Sequence, residues 1–190
     1  MIISKNRIEH AFETIKNGGI IIYPTDTLFG LGADATNTIA IEKINTLKKR
    51  KAPLSIMIQS VQYINMYANI SDNTLNYLKT IFPGPYTALL KSKEHNLSDL
   101  VQGDSKKIGI RVPKNNFCSK LLKKFKKPII TTSVNVHGNA SLNDINKIES
   151  NFPDINIYYG NVNKKSNGST IIDFTKFPYK LIRKGDGIFK

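Results

Sequence analysis

The sequence predicts a single α/β domain, and three observations lead there. Apolar residues at helical spacing alternate along the chain with short runs rich in β-branched and aromatic residues. Short loops join some of those runs, so part of the strand pairing is antiparallel. A length of 190 residues, 40% of them hydrophobic, suffices for one sizeable core, and no repeat, linker or low-complexity block divides residues 1–190.

The elements follow in order. Ile8, Ala11, Phe12 and Ile15 recur at helical spacing, and Gly18-Gly19 offers a C-terminal cap. Residues 20–23 form a short buried strand stopped by Pro24, and a polar, glycine-bearing loop over 24–35 leads to a helix over 38–49. A strand over 55–58 precedes two helical stretches near 60–67 and 72–81, the second with Ser71 as its N-cap. Pro83-Gly84-Pro85 breaks that helix and opens a strand over 86–91, followed by a polar loop over 92–105. A strand over 108–112, a basic helix near 115–126 and a strand over 128–132 come next. A short helix near 144–150 and strands over 155–159, 170–174 and 180–183 complete the pattern.

Composition removes several functional classes. The lone Cys118 rules out a disulfide scaffold and a cysteine-cluster zinc site. The apolar run Ile20–Ile22 is far short of a membrane span, and Met1-Ile-Ile-Ser-Lys lacks the apolar stretch of a secretory signal. The expected location is the cytoplasm, with no membrane partner. The 28 basic residues against 14 acidic ones give a net charge of +14. Because 24 of the 28 are Lys and Asn occurs 20 times, the drift of an AT-rich genome accounts for such a surface, and so does attraction to nucleotide or RNA phosphate. Drift does not account for where Arg survives: Arg50, Arg111 and Arg183 lie inside motifs and only Arg7 does not. Lys cannot supply the planar fork that Arg presents to carboxylate or phosphate.

No P-loop, complete dinucleotide fingerprint or nucleophile elbow is present. Cys118 has no nearby His in the sequence, and His10, His95 and His137 show no metal-ligand spacing. Covalent and built-in metal chemistry therefore give way to positioning and charge stabilisation.

The motifs that do occur are polar strand ends and turns. Tyr23-Pro-Thr-Asp-Thr-Leu-Phe-Gly-Leu-Gly32 delivers Thr25, Asp26 and Thr27 at a strand's carboxyl end, where ligands of open α/β sheets bind, with two glycines to let the backbone turn. Lys48-Lys49-Arg50 closes a helix, a favourable place for cations in any case, and Lys48 with Arg50 could clamp a polyphosphate. Pro83-Gly-Pro-Tyr-Thr87 is a rigid turn that a helix stop alone would explain. Lys107, Gly109 and Arg111 share one strand face by period two, an expensive place for Arg unless it is paired or binds an anion. Thr131, Ser133 and Asn135 share another, followed by Gly138 and Ser141. Gly168-Ser-Thr-Ile-Ile-Asp173 and Leu181-Ile-Arg-Lys-Gly185 end the series.

Taken together and in this order, these motifs resemble the YrdC/TsaC family over about residues 8–187. The resemblance implies a twisted mixed sheet with flanking helices around a deep basic concave cleft. It implies an L-threonylcarbamoyladenylate synthase, a nucleotidyltransferase joining L-threonine, bicarbonate and ATP with release of pyrophosphate. Thr27, Arg111, Thr131 and Ser169 match positions that hold L-threonine. Lys48, Arg50, Ser133, Asn135, Ser141 and Arg183 match positions around ATP, with Lys48 and Arg50 stabilising charge. No protein-bound cofactor is implied; Mg²⁺ arrives with ATP. The implied partners are tRNA and the proteins that transfer the threonylcarbamoyl group to it.

The chain departs from the family pattern at three places. The stretch from Arg50 to Pro53 is shorter by about two residues than the usual R-P-x-x-x-P-L. Met57 stands where many members have His near threonine, and Lys107 where many have Thr near ATP; Met57→His and Lys107→Thr are expected to be tolerated. Two other readings compete: a non-catalytic double-stranded RNA or tRNA binder, against which the two-pocket motif set counts, and a carbamoyl-adenylate-forming domain, which usually belongs to larger chains with zinc-finger or other catalytic domains that 190 residues and one Cys are expected to exclude.

Overall fold

The structure is a computed structural model that describes residues 1–49, 53–136 and 138–189. In chain order the elements are β1 (Ile2–Ile3), α1 (Arg7–Lys16), β2 (Ile21–Pro24), β3 (Phe29–Gly32), α2 (Thr38–Lys48) and β4 (Ser55–Met57). A 3₁₀ turn (Val61–Met66), β5 (Ala68–Asn69), α3 (Asp72–Ile81) and β6 (Tyr86–Ser92) follow. After a second 3₁₀ turn (Asp99–Val101) come β7 (Lys107–Arg111), α4 (Asn116–Phe125), β8 (Ile129–Ser133), α5 (Ile145–Asn151), β9 (Asn156–Tyr158), β10 (Thr170–Asp173) and β11 (Lys180–Arg183).

The strands form one mixed sheet in the order β1-β9-β2-β3-β8-β4-β7-β6-β10-β11, with β5 added to β6. Pairings β2–β3, β3–β8, β4–β8, β6–β7 and β10–β11 are antiparallel, whereas β1–β9, β2–β9, β4–β7 and β6–β10 are parallel. The α/β class and the mixed pairing agree with the expectation from sequence.

Strand alternation sorts side chains to two faces. Ile22, Leu31, Ile56, Ile108, Ile110 and Ile130 pack on one face against Ala40, Ile41 and Ile44 of α2 and Leu78 of α3. Ile21, Tyr23, Met57, Ile129 and Tyr158 pack on the other against Ala11 and Ile15 of α1 and Phe117, Cys118 and Leu121 of α4. Those two helices cover only part of their face. The same parity continues along the strands into Ser55, Thr131 and Ser133, which α1 and α4 leave uncovered, and there the cleft lies.

Several segments differ from the sequence reading. Residues 24–35, expected as a loop, contain β3, which pairs antiparallel with β2 and β8. Its glycines do not make a turn; they let the Tyr23 ring lie across the strand. A Cβ at Gly30 would stand 3.0 Å from Tyr23 Cζ, and one at Gly32 would meet the Ile130 carbonyl at 2.4 Å. The helical stretch near 60–67 is a 3₁₀ turn capped by Ser60 and followed by β5, and the polar loop 92–105 holds the short 3₁₀ turn capped by Ser98. The closing strands divide: β9 joins β1 and β2, while β10 and β11 build the opposite edge.

Gly32→Ala forces either backbone or the Tyr23 ring to shift, so it is expected to lower unfolding free energy by about 1–3 kcal/mol, as overpacking of a tight interior does. Urea unfolding of the variant beside wild type measures this.

Candidate functional site

The uncovered part of the sheet face is the floor of a cleft of about 360 Å³. Its lining, among the described residues, includes Arg111 and Arg183 and no Asp or Glu. At one end the β2–β3 connection is a tight Thr-based turn. Thr25 Oγ1 donates to the Leu28 carbonyl at 2.6 Å and accepts from the Thr27 amide at 3.1 Å, which turns Thr27 inward. Arg111 closes β7, 8% exposed. Its Nη2 donates to Asp26 Oδ1 at 2.7 Å and to Thr27 Oγ1 at 3.3 Å, while Asp26 Oδ2 accepts from the Lys114 amide at 3.0 Å. Nε of Arg111 is buried with no acceptor among the described residues. Burial pushes the Asp26 carboxyl above its ordinary range, although Arg111 and the Lys114 amide pull it down.

The opposite wall comes from β10 and β11. Ser169 Oγ shares a hydrogen bond of 2.7 Å with Thr87 Oγ1, and its carbonyl accepts from Arg183 Nη2 at 2.8 Å and Nε at 3.2 Å. Burial lowers the Arg183 pKa, and the charge of Arg111 lowers it further, so the two guanidinium groups act on each other. Two like charges lining one space without a lining carboxylate form an arrangement that favours anions.

A third wall is the turn after β8. Ser133 Oγ donates to Asn135 Oδ1 at 2.7 Å, and Asn135 Nδ2 donates to the Asn139 carbonyl at 2.7 Å. Behind it lies Lys48, 2% exposed at the end of α2. Its ammonium donates to the Ser133 carbonyl at 2.7 Å, the Asn135 carbonyl at 3.1 Å and Asn135 Oδ1 at 2.8 Å. In this structure Lys48 fastens the turn.

Of the residues singled out from sequence, Thr27, Arg111, Thr131, Ser133, Ser141, Ser169 and Arg183 line this one cleft. Asn135 and Lys48 support its wall from behind, and Arg50 lies outside the described residues. Three contributors were missed. In sequence Asp26 is only one of three polar residues at a strand end; Thr87, within P-G-P-Y-T, sits in a motif that a turn alone explains; and Ser55 lines the floor beside Thr131. Period-two alternation with Leu89 was the available signal for Thr87. The described residues hold no group of three His, Cys, Asp or Glu that could grip a metal ion. No helix among them is long and apolar enough to cross a membrane.

Residues 13–185 match the family described as Sua5/YciO/YrdC, telomere recombination. The chain belongs to the Sua5/YciO/YrdC family. Within it, the threonylcarbamoyl-AMP synthase of Psychromonas ingrahamii is 35% identical over 141 residues, 72% of this chain and 73% of that one. A putative threonylcarbamoyl-AMP synthase of Methanocaldococcus jannaschii is 35% identical over 147 residues, covering 76% of this chain and 68% of the relative. The crystal structure of Pyrococcus abyssi Sua5 complexed with L-threonine superposes with a TM-score of 0.89 at 28% identity. That match covers 97% of this chain but only 57% of the Sua5 chain. Escherichia coli YciO superposes with the same TM-score of 0.89 at 26% identity, covering 99% of this chain and 96% of YciO.

The two departures at single positions are also located. Lys107 is not in the cleft lining; its ammonium pairs with Asp173 at 2.5 Å on the neighbouring part of the sheet. Met57 is 1% exposed, packed with Tyr23, Phe117 and Ile129. Met57→His, expected to be tolerated for turnover, would place its imidazole in an apolar cluster. That variant is expected to lose about 1–3 kcal/mol of stability, the cost of burying a polar group without a partner. Lys107→Thr, which removes only a half-exposed ion pair, is expected to change stability by about 1 kcal/mol or less. Denaturant midpoints of the two variants separate these outcomes.

Proposed function

We propose that this cleft is the active site of an L-threonylcarbamoyladenylate synthase. The observation that carries the reading is the convergence of Arg111 and Arg183 on one acid-free cleft that Thr27, Thr131, Ser133, Ser141 and Ser169 also line. One guanidinium suits a carboxylate and the other a triphosphate. The relatives named as threonylcarbamoyl-AMP synthases, and the Sua5 relative solved with L-threonine, support the same assignment.

In this reading Arg111, Thr27, Thr131 and Ser169 hold L-threonine. Ser133, Asn135, Ser141 and Arg183, together with Lys48 and Arg50, hold ATP. Threonine's amine adds to bicarbonate-derived carbon dioxide and loses a proton, giving a carbamate. A carbamate oxygen then attacks the α-phosphorus in line, the bond to the β-phosphate oxygen breaks, and pyrophosphate leaves. No protein nucleophile is required. The chain's residues bring two anions together, orient them and offset their repulsion. Mg²⁺ enters with ATP as part of the substrate and supplies charge neutralisation on the phosphates. Lys48, already bonded to the Ser133–Asn135 turn, acts on the nucleotide by fixing that turn. The product is a reactive mixed anhydride, so proteins that pass the threonylcarbamoyl group to tRNA are its expected consumers. The reading as a non-catalytic RNA binder is not favoured, because it gives the paired small-molecule walls no role.

Pyrophosphate release from ATP is expected to require both L-threonine and bicarbonate, with serine poorer by roughly ten- to two-hundredfold for its missing methyl. Equal release without an amino acid overturns the assignment.

The arginines provide a second check. Arg111→Lys is expected to raise the threonine requirement, and Arg183→Lys and Arg50→Lys the ATP requirement, by about ten- to a hundredfold each, the loss of one charge-assisted bond. Arg7, outside the cleft, donates to the Tyr159 carbonyl, so Arg7→Lys should match wild type in both titrations.

A further inference from the structure

The contact that fixes Arg111 is as informative as Arg111 itself. A buried guanidinium on a flexible four-bond stem adopts one orientation only if an acceptor holds it. Here that acceptor is Asp26, whose two oxygens divide their work. Oδ1 takes Arg111 Nη2 at 2.7 Å, and Oδ2 takes the Lys114 amide at 3.0 Å, three residues past the arginine. Asp26 thus clamps the end of β7 at two points from the β2–β3 turn. The Asp26 side chain is 7% exposed and that of Arg111 10% exposed, so neither partner is free to swing. Asp26 does not line the cleft, whereas Arg111 does.

We propose that Asp26 is a positioning residue for the amino-acid pocket: its carboxylate holds the Arg111 guanidinium in the orientation that receives the substrate carboxylate. This rests on the reading of the cleft given above. Asp26 does not touch substrate, and its effect on binding passes through Arg111.

The energetics fit a residue kept for function. Burial raises the Asp26 carboxyl above its ordinary value despite the guanidinium beside it. With the folded-state value above the unfolded one, the folded state holds the proton more tightly. Stability linked to this group is therefore full at acid pH and is lost as pH rises through the raised value. Perturbed carboxyls of this kind cluster at functional sites.

The groups facing Asp26 decide how a pH experiment reads. Arg111 and the Lys114 amide favour its charged form, while Asp186 on the loop after β11 disfavours it. Tyr23 and Cys118, buried beside the pair, are pushed upward by burial, away from the acid range. Asp186 accepts from Ser166 Oγ at 2.5 Å and the Asn167 amide at 2.8 Å, so it needs its own control.

The test combines calorimetric L-threonine binding with pyrophosphate release, on wild type, Asp26→Asn, Asp26→Glu and Asp186→Asn. Asp26→Asn is expected to raise the threonine Kd and KM about tenfold or more. Its ATP KM and its kcat at saturating threonine should stay within about twofold of wild type. Asp26→Glu, which restores the charge, should recover part of the threonine affinity. Wild-type threonine affinity should fall as pH drops through a value above the usual Asp range of about 4. That acid limb should vanish in Asp26→Asn and persist in Asp186→Asn. Asp26→Asn matching wild type in threonine titrations overturns the proposal, as does an equal rise in both substrates' KM. Should Asp26→Asn fail to fold, an equal rise of both substrates' KM in Asp26→Glu overturns it in the same way. A wild type that neither binds nor requires threonine overturns the functional reading itself, a different result from a threonine-dependent wild type with an indifferent Asp26→Asn.

Discussion

The architecture turns on one expensive placement, an arginine at the end of an interior strand with almost no exposed surface. Desolvating a guanidinium is tolerable only with paired acceptors in good geometry. Arg111 finds them in Asp26 and Thr27, which belong to a different strand connection. The hydrogen bonds of Thr25 shape that connection, and β3 beyond it lies close under the Tyr23 ring because residues 30 and 32 have no Cβ. The polar segment Thr25–Thr27, the glycine pair and Arg111 are therefore one device, assembled from positions about 85 residues apart. Covering this part of the sheet with a further helix would bury Arg111 with its Nε still lacking an acceptor. An open cleft on that face is the compatible alternative.

A second buried cation organises the other wall. Lys48 ends α2, and its ammonium reaches the turn after β8, donating to the Ser133 and Asn135 carbonyls and to Asn135 Oδ1. Ser133, presented by that turn, reaches the cleft lining while Lys48 does not. Helix packing and site geometry are thus coupled: the residues of α2 that face the core, Ala40, Ile41 and Ile44, set where Lys48 emerges. A shift of that helix is transmitted to the turn as a displacement of its carbonyls.

Legibility from sequence followed the kind of physical signal involved. α1 shows in its apolar periodicity, and the bounds of α2, α3 and α4, each with a side-chain N-cap, lie within a residue of those expected. Strands with alternating apolar residues, such as β7 and β8, were equally plain. β3 was hidden because Phe-Gly-Leu-Gly has the composition of a turn, and only the partner ring across it explains the glycines. β1 and β5 are two residues each and exist through their pairing, which local sequence does not encode. Most of the cleft lining was legible as polar residues on strand faces. The role of Lys48 behind the wall and the pairing of Asp26 with Arg111 were not, since each is a contact across more than 80 residues. Met57 shows the converse limit: the position matches a polar one in the motif, while the tertiary surroundings are apolar.

The division between lysine and arginine in this chain follows from donor geometry. At Lys48 the acceptors include two carbonyls and an amide oxygen around one point, a task for a compact ammonium with three donors. At Arg183 two nitrogens of one planar fork converge on the single carbonyl of Ser169, and Nη2 also meets its hydroxyl at 3.2 Å. At Arg111 one nitrogen serves two acceptors on the β2–β3 turn while the rest of the plane is held in place. An ammonium in either arginine position could satisfy the protein or present charge to a ligand, but it could not do both along one plane. Lysine dominates this chain, 24 of 28 basic residues, wherever charge alone is required. Arginine stands at the two described cleft positions where one cation must be anchored by the fold and also offered to an anion.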